Sequence, residues 1–145
     1  MITLIVAMNH TNSIGLNNKL PWHNPDELQY FKQLTMGKTL YVGHNTYNHL
    51  PPLPGRNIKV IEHNKDVQDF HTFLLDHQDS KEDIYIIGGA SIFNQALPYA
   101  SYIYLSIVDD NTLGDCLFNY NPSLYSHTLL HKQPTLKSYL LTKKE

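Results

Sequence analysis

The stretch Ile84-Tyr85-Ile86-Ile87-Gly88-Gly89-Ala90-Ser91 decides the fold class of this 145-residue chain. Its first four residues form a short apolar run of the kind found in strands that are buried on both faces. The two glycines interrupt the run, and we expect a helix from Ser91 to about Leu97. A buried strand that leads through a glycine turn into a helix is a repeating unit of α/β sheets.

The rest of the chain repeats this alternation and then changes to strands alone. Further strands are predicted at 3–8, 39–42, 57–62 and 102–108, helices at 25–36, 43–50 and 67–76, and a loop at 10–18. Segments 127–131 and 135–142 alternate without a helix period, which favours antiparallel strands. We therefore expect one domain over residues 1–145, a three-layer α/β fold. Its central, mostly parallel twisted sheet would have an antiparallel C-terminal edge strand and helices on both faces.

Composition excludes several classes of protein. A formal net charge of −2 provides no basic stripe for nucleic acid. Cys116 is the only cysteine, so neither a disulfide framework nor a thiolate zinc cluster is expected. No apolar stretch approaches the length of a membrane span, and residues 1–8 lack the features of a signal peptide. The histidines at 10, 23, 49, 71 and 77 show no i, i+4 pair and no accompanying carboxylate motif, so we expect no metal. A chain with a single cysteine fits a reducing cytoplasm, which is the expected location.

Two predicted strands run directly into glycine, at Val42-Gly43 and at Ile87-Gly88-Gly89-Ala90. In α/β sheets, ligands bind beyond the carboxyl ends of the strands, where free N–H groups at helix starts can hold a phosphate. Two such junctions favour a pyrophosphate that is held from both sides, although each could be an ordinary tight turn. Neither matches the G-x-G-x-x-G fingerprint or the P-loop.

Glu27 stands in the first turn of the helix that Pro25 begins. It shares a helix face with Leu28 and Phe31, which we expect to turn inward. A carboxyl group among apolar side chains is desolvated, which raises its pKa towards a range useful for acid catalysis. The alternative is that Glu27, like Asp26, lies at the surface and only complements the helix dipole.

Short motifs follow one another along nearly the whole chain. They are Ile14-Gly15-Leu16, Leu20-Pro21-Trp22, Pro25-x-Glu27-Leu28 with Phe31-Lys32, Val42-Gly43-x-x-Thr46-Tyr47, Leu53-Pro54-Gly55-Arg56-Asn57, Ile86-Ile87-Gly88-Gly89-Ala90-x-Ile92-Phe93, and Gly114-Asp115 with Phe118. In this order and spacing they resemble the dihydrofolate reductase family. The resemblance implies NADPH-dependent reduction of 7,8-dihydrofolate to tetrahydrofolate in a monomer.

The resemblance assigns roles around the substrate. Glu27 would hold the pterin and promote protonation at N5, Trp22 would hold an ordered water, and Ser106 would hydrogen-bond the Glu27 carboxylate. Arg56 would bind the folate α-carboxylate. The walls of the substrate pocket would be Ile5, Ala7, Leu28, Phe31, Leu50 and Ile87.

The resemblance also assigns a cofactor site and a lid. Ala7, Ile14, Gly15, Leu20 and Phe93 would border the nicotinamide. The pyrophosphate would lie between Gly43, His44, Asn45 and Thr46 on one side and Gly88, Gly89, Ala90, Ser91 and Ile92 on the other, with a cis bond between the two glycines. Residues 9–24 would form a mobile lid.

The match departs from the family in the cofactor region. His44 stands where Arg or Lys is usual, and Glu62 with His63 stands where the adenosine ribose is expected. A carboxylate suits a free 2′-hydroxyl better than a 2′-phosphate, so NADH stays open beside NADPH. Two further alternatives are a related pyrimidine reductase of riboflavin synthesis and a non-catalytic folate- or nucleotide-binding protein.

Overall fold

A computed structural model describes residues 1–61 and 69–145 of the chain. The strands within these ranges are β1 (Ile2–Asn9), β2 (Ser13–Gly15), β3 (Thr39–Val42), β4 (Asn57–Val60), β5 (Ile84–Ile86), β6 (Ala100–Val108), β7 (Cys116–Leu117), β8 (Tyr125–Gln133) and β9 (Leu136–Lys143). The helices are α1 (Pro25–Thr35), α2 (His44–Tyr47), α3 (Phe70–His77) and α4 (Ala90–Ala96), with short 3₁₀ turns at Leu97–Tyr99 and Pro122–Leu124.

The main sheet has the strand order β4-β3-β5-β1-β6-β9-β8. Strands β4, β3, β5, β1 and β6 are parallel, while β9 runs antiparallel to β6 and β8 runs antiparallel to β9. The predicted α/β fold is therefore confirmed. The antiparallel part is a hairpin of two strands rather than a single edge strand.

One face of the sheet carries the main hydrophobic core. Side chains alternate along β1, so Ile2, Leu4, Val6 and Met8 share a face. They belong to one buried cluster with residues of α3 and α4, namely Phe73, Leu74, Ile92, Phe93 and Ala96. Burial of this apolar area supplies most of the free energy that holds both helices against the sheet.

The other face of the sheet, called the α1 face below, is covered by α1. Asn24, the residue before α1, donates from Nδ2 to Thr135 Oγ1 at 3.2 Å. Further along α1, the Tyr30 ring stacks on the His131 ring of β8, with 5.0 Å between the ring centroids. Strand register places Ala7, Ser106 and Ser138 side by side across β1, β6 and β9. Helices therefore lie on both faces, which gives the predicted three layers.

Some predicted bounds differ from those of the structure. The predicted loop 10–18 contains β2, which pairs with β7 of residues 116–117. Because β2 and β7 are far apart in the sequence, no local residue pattern predicts that they pair. Helix α3 begins at Phe70 behind the cap Asp69, whereas the prediction began at residue 67. Residues 67 and 68, like the predicted strand end at 62, lie outside the described residues. No helix in the described part of the chain is long and apolar enough to span a membrane.

Candidate active site

The Glu27 carboxyl group is placed by the start of α1. Asn24 caps the helix by accepting from the Glu27 N–H at 3.1 Å, and Pro25 occupies the first turn. Glu27 is only 5% exposed, so the surface alternative for this residue is wrong. Burial raises the pKa of Glu27 from 4.5 to about 7, since water no longer stabilises the charged form. The carboxyl group is therefore suited to give up a proton near neutral pH.

Three buried side-chain polar atoms have no hydrogen-bond partner in the part of the chain that the structure describes. They are Glu27 Oε2, Trp22 Nε1 and Arg56 Nε. A buried polar atom without a partner costs about 1–3 kcal/mol, so proteins seldom keep one without a function. All three belong to residues with a predicted role at the substrate, and together they offer one acceptor and two donors.

Arg56 is held at the far end of α1. Its Nη1 donates to Thr35 Oγ1 at 3.2 Å, while Thr35 Oγ1 donates to the Phe31 carbonyl oxygen at 2.7 Å. Helix α1 rises 1.5 Å per residue, so Glu27 and Thr35 lie about 12 Å apart along its axis. The α1 face therefore presents a carboxyl group at one end and a guanidinium group at the other.

Apolar side chains lie between these two polar ends. Ile5 is buried, and Ala7, Phe31, Leu50 and Ile87 are partly buried. Leu28 is 48% exposed, so the expectation that it turns inward with Glu27 is wrong. Successive helix residues are about 100° apart, so Leu28 lies well to the side of Glu27, whereas Phe31 lies within about 40° of it.

The Ser106 hydroxyl has a different partner from the predicted one. It shares a hydrogen bond of 2.8 Å with the Ser138 hydroxyl, and Glu27 Oε2 stays without a partner. Ser106 and Ser138 are paired directly across β6 and β9, so their side chains point to the same face of the sheet. The predicted bond to Glu27 is therefore not made in this structure.

The two glycine junctions are adjacent. Gly43 donates from its N–H to the Gly88 carbonyl oxygen at 2.8 Å because β3 and β5 are neighbours. The Gly88–Gly89 bond is cis, as the resemblance implies. A Cβ on Gly89 would collide with Thr46 Oγ1, and one on Gly43 would meet Ile92 Cγ1 at 2.9 Å. No side chain caps α2 or α4, so backbone N–H groups at both helix starts remain available to a ligand.

The side chains predicted at the cofactor divide into three groups. His44, Asn45, Ser91 and Leu20 are exposed, and Ala7, Ile14, Gly15, Thr46, Gly89 and Ala90 are partly buried. Ile92 and Phe93 belong to the hydrophobic core, and their side chains also pack beside the junction, Ile92 next to Gly43 and the Phe93 ring next to Gly88. Glu62 and His63 lie outside the described residues. No three His, Cys, Asp or Glu side chains within residues 1–61 and 69–145 gather into a possible metal site.

The predicted lid is attached to residues 114–117. Asn17 donates from its N–H to Asp115 Oδ2 at 3.0 Å, and the Asp115 N–H donates to the Gly15 carbonyl oxygen at 2.9 Å. A Cβ on Gly114 would collide with the Gly15 carbonyl. These contacts explain why the Gly114-Asp115 motif accompanies the Ile14-Gly15 motif. Movement of the lid stays a prediction.

Sequence reasoning missed several residues that shape the site. Thr35 holds Arg56, Asn24 fixes the start of α1, and Ser138 hydrogen-bonds Ser106. Only Asn24 carried a signal, since Asn before Pro at a helix start is a common cap. The others depend on contacts between distant parts of the chain.

Comparisons with known proteins agree with this arrangement. A family model described as dihydrofolate reductase matches residues 1–138. The dihydrofolate reductase of Buchnera aphidicola subsp. Schizaphis graminum is 39% identical over 144 residues, which cover 91% of this chain and 88% of the relative. Dihydrofolate reductase type 3 of Salmonella typhimurium is 36% identical over 126 residues, which cover 81% and 78%.

A solved structure shows the same fold. Dihydrofolate reductase from Enterococcus faecalis, complexed with NADP(H) and RAB-propyl, has a TM-score of 0.80 at 23% identity and covers 100% of this chain and 97% of that one. The fold thus agrees with the two sequence comparisons. On the family model and the relatives, the chain belongs to the dihydrofolate reductase family.

Proposed function

We propose that the protein reduces 7,8-dihydrofolate to 5,6,7,8-tetrahydrofolate with NADPH and so supports one-carbon metabolism and thymidylate synthesis. The observation that carries the proposal is the set of buried polar atoms without partners at Trp22, Glu27 and Arg56. Dihydrofolate has a pterin ring at one end and a carboxylate at the other. Glu27 and Arg56 offer matching groups at opposite ends of α1.

Glu27 holds the 2-amino group and N3 of the pterin and promotes protonation of N5. Its pKa of about 7 keeps both protonation states available near neutral pH, as an acid that must be recharged in each cycle requires. Trp22 has a buried indole N–H that is free to donate to an ordered water beside the carboxyl group. Ser106 lies on the α1 face next to Ala7, within the same pocket.

Arg56 binds the α-carboxylate at the other end of the pocket. The Thr35 hydroxyl orients the guanidinium by accepting from Nη1, which leaves the buried Nε–H for the ligand. The apolar side chains of Ile5, Phe31 and Leu50 contact the rings between the two polar ends. Burial of the ring system against these side chains supplies the main part of the binding energy.

The residues at the glycine junctions fit a dinucleotide. Gly43 and Gly89 keep space that a Cβ would fill, and the uncapped starts of α2 and α4 present N–H donors to a pyrophosphate. When bound, the nicotinamide supplies the hydride that reaches C6 of the substrate. Thr46 adds a hydroxyl beside Gly89. The lid anchored at Asp115 closes over the nicotinamide and excludes water.

The choice of NADPH over NADH rests on family membership. His44 is exposed and lies at the start of α2, where its imidazolium form would attract phosphate. Glu62 would favour a free 2′-hydroxyl if it faced the ribose. We further propose that the protein acts in the cytoplasm as a monomer.

The test is an assay of absorbance at the nicotinamide band, with dihydrofolate and either NADPH or NADH. We expect consumption of NADPH that depends on dihydrofolate, with a lower kcat/KM for NADH. Equal use of NADH would overturn the cofactor preference and leave the reaction intact. Consumption of neither cofactor by folded protein would overturn the proposed reaction.

A further inference from the structure

The side chain of Asn9 lies where β1 ends and the predicted lid begins, and it is fully buried. Its Oδ1 accepts from the backbone N–H groups of Thr11 and Ser13, each at 3.0 Å. Its Nδ2 donates to Asp110 Oδ2 at 2.8 Å and to the Thr112 carbonyl oxygen at 2.6 Å. One amide group therefore joins the first residues of the lid to the segment that follows β6.

The partners of Asn9 fix the orientation of this amide. The two backbone N–H groups can only donate, so the atom that faces Thr11 and Ser13 is the amide oxygen. The carbonyl oxygen of Thr112 can only accept, so the atom on the other side is the nitrogen, whose two hydrogens are both used. An ionised Asp has the same shape but no donor. An amide is therefore needed to serve both segments at once.

Asn9 acts on the part of the lid that lies nearest the expected cofactor. Ser13 is the first residue of β2, and it is followed by Ile14 and Gly15, which are predicted to border the nicotinamide. Ser13 is fully buried, and its hydroxyl accepts from the Gly114 N–H at 2.8 Å. Because only one residue separates Ser13 from Gly15, a displacement of Ser13 would move this border with it.

An ion pair also joins the same two segments, but it is more exposed. His10 Nε2 lies 2.9 Å from Asp109 Oδ1, and these side chains are 48% and 63% exposed. An exposed ion pair contributes little because water screens it. A buried amide makes stronger hydrogen bonds and is costly to leave without partners. The hydrogen bond from Asn9 is also the first cause of the lowered pKa of Asp110. We therefore expect the amide to contribute more than the ion pair.

We propose that Asn9 is a positioning residue that holds the base of the lid on residues 110–112 and so keeps Ile14 and Gly15 in place to cover the nicotinamide. The inference rests on the proposed function only for the identity of what the lid covers, because the hydrogen bonds of Asn9 exist without a ligand. Removal of the two donors releases the base of the lid and makes its detachment from residues 110–118 more frequent. Hydride transfer, which needs the closed lid, becomes slower.

The test replaces the amide by a carboxylate of the same shape. Asn9→Asp keeps an acceptor for the lid but removes both donors and places a second carboxylate against Asp110. Amide hydrogen exchange is followed by ¹H–¹⁵N NMR in the ligand-free protein. The reporters are the N–H groups of Asp115 and Phe118, which donate to carbonyl oxygens of lid residues at 2.9 and 2.8 Å. Their exchange is expected to become about 5- to 150-fold faster, the effect of two lost hydrogen bonds.

Two control variants separate release of the lid from other causes. Asn111→Asp makes the same chemical change at an exposed neighbour of Asp110 and is expected to leave both reporters unchanged. Ile84→Val removes one buried carbon from the core and lowers the free energy of unfolding without touching the lid. It should also leave the reporters unchanged, because the lid opens locally. Equal acceleration by Ile84→Val, or no acceleration by Asn9→Asp, overturns the proposal.

Swapping the two side chains tests the contact itself. Asn9→Asp combined with Asp110→Asn restores a hydrogen bond between an amide and a carboxylate at the same two positions. The reporters are expected to recover part of their wild-type protection. A double variant whose reporters exchange as fast as those of Asn9→Asp alone also overturns the proposal.

Turnover gives a second measurement of the same change. In Asn9→Asp, kcat is expected to fall by up to the factor seen in exchange, and its isotope effect with deuterated NADPH should rise, because hydride transfer limits the rate more strongly. The KM for dihydrofolate should change little, since its contacts lie on the α1 face. If exchange responds as expected in a protein without dihydrofolate reductase activity, the proposed function fails and the role of Asn9 stands. If the protein is active and neither exchange nor the isotope effect changes, the role of Asn9 fails and the function stands.

Discussion

In the proposed function, the α1 face and the glycine junctions would bind their ligands in different ways. On the α1 face, the binding groups are side chains, and Glu27, Trp22 and Arg56 each keep one buried polar atom without a partner. At the junctions, the binding groups are backbone N–H groups. The absence of a Cβ at Gly43 and Gly89 leaves the space that a ligand would need beside the backbone. One region acts through the chemistry of buried side chains, and the other through the space left beside the backbone.

This difference has a physical cause. A proton donor must be tuned, and burial tunes a carboxyl group by making its charged form costly. A pyrophosphate carries its charge at all working pH values, so it needs several fixed N–H donors at close range rather than a tuned group. Substitutions should therefore act through pH on the α1 face and through steric fit at the junctions.

The largest effect is expected for Glu27→Ala on the α1 face. Loss of the proton donor should lower kcat by about 100- to 10,000-fold at pH 7. Activity should recover in part as the pH falls, because substrate that is already protonated in solution takes over. Steady-state kinetics between pH 5 and 9 measure both. Asp26→Ala, at the exposed neighbouring position, is the control, and wild-type activity of Glu27→Ala across this range would remove Glu27 from the mechanism.

Glu27→Gln should show how much the buried carboxyl group lowers the free energy of unfolding when it is ionised. The pKa of Glu27 is raised in the folded state. Its contribution to the free energy of unfolding is therefore complete below pH 4.5 and is lost as the pH rises through about 7. Relative to wild type, the variant should gain up to about 3 kcal/mol in the free energy of unfolding between pH 4 and pH 8. Urea unfolding at both pH values measures the gain. A difference that does not depend on pH would contradict the raised pKa of Glu27.

Gly89→Ala tests the junctions and should have the smallest effect of the three. The new Cβ collides with Thr46 Oγ1, and the adjustment should weaken NADPH binding by about 5- to 150-fold. Because the group is not titratable, this loss should be the same from pH 6 to pH 8. Fluorescence titration with NADPH gives the Kd. Relief by the second substitution Thr46→Ala would support the steric cause, and wild-type affinity in Gly89→Ala would contradict it.

The sequence predicted the backbone of the site better than its side-chain partners. The strand–turn–helix at residues 84–97, the glycine junctions and the start of α1 at Pro25 all lie where expected. The partner of Ser106 and the exposure of Leu28 differ. Sequence periodicity cannot predict the hydrogen bond of Ser106, because its partner Ser138 is 32 residues away in the chain. The exposure of Leu28 follows from its angular position on helix α1.

The sequence by itself determined the order of the helices and of the strands in the main sheet, the two places where glycine leaves room beside the backbone, and a carboxyl group in the first turn of α1. These features follow from local periodicity and from backbone geometry that only certain residues allow. Only the tertiary structure decided that Glu27 is buried, that Thr35 holds Arg56, that Asp115 holds the lid and that Ser138 holds Ser106. Burial and hydrogen-bond partners depend on which distant segments the sheet brings together, because a side chain acquires its environment only when the layers pack.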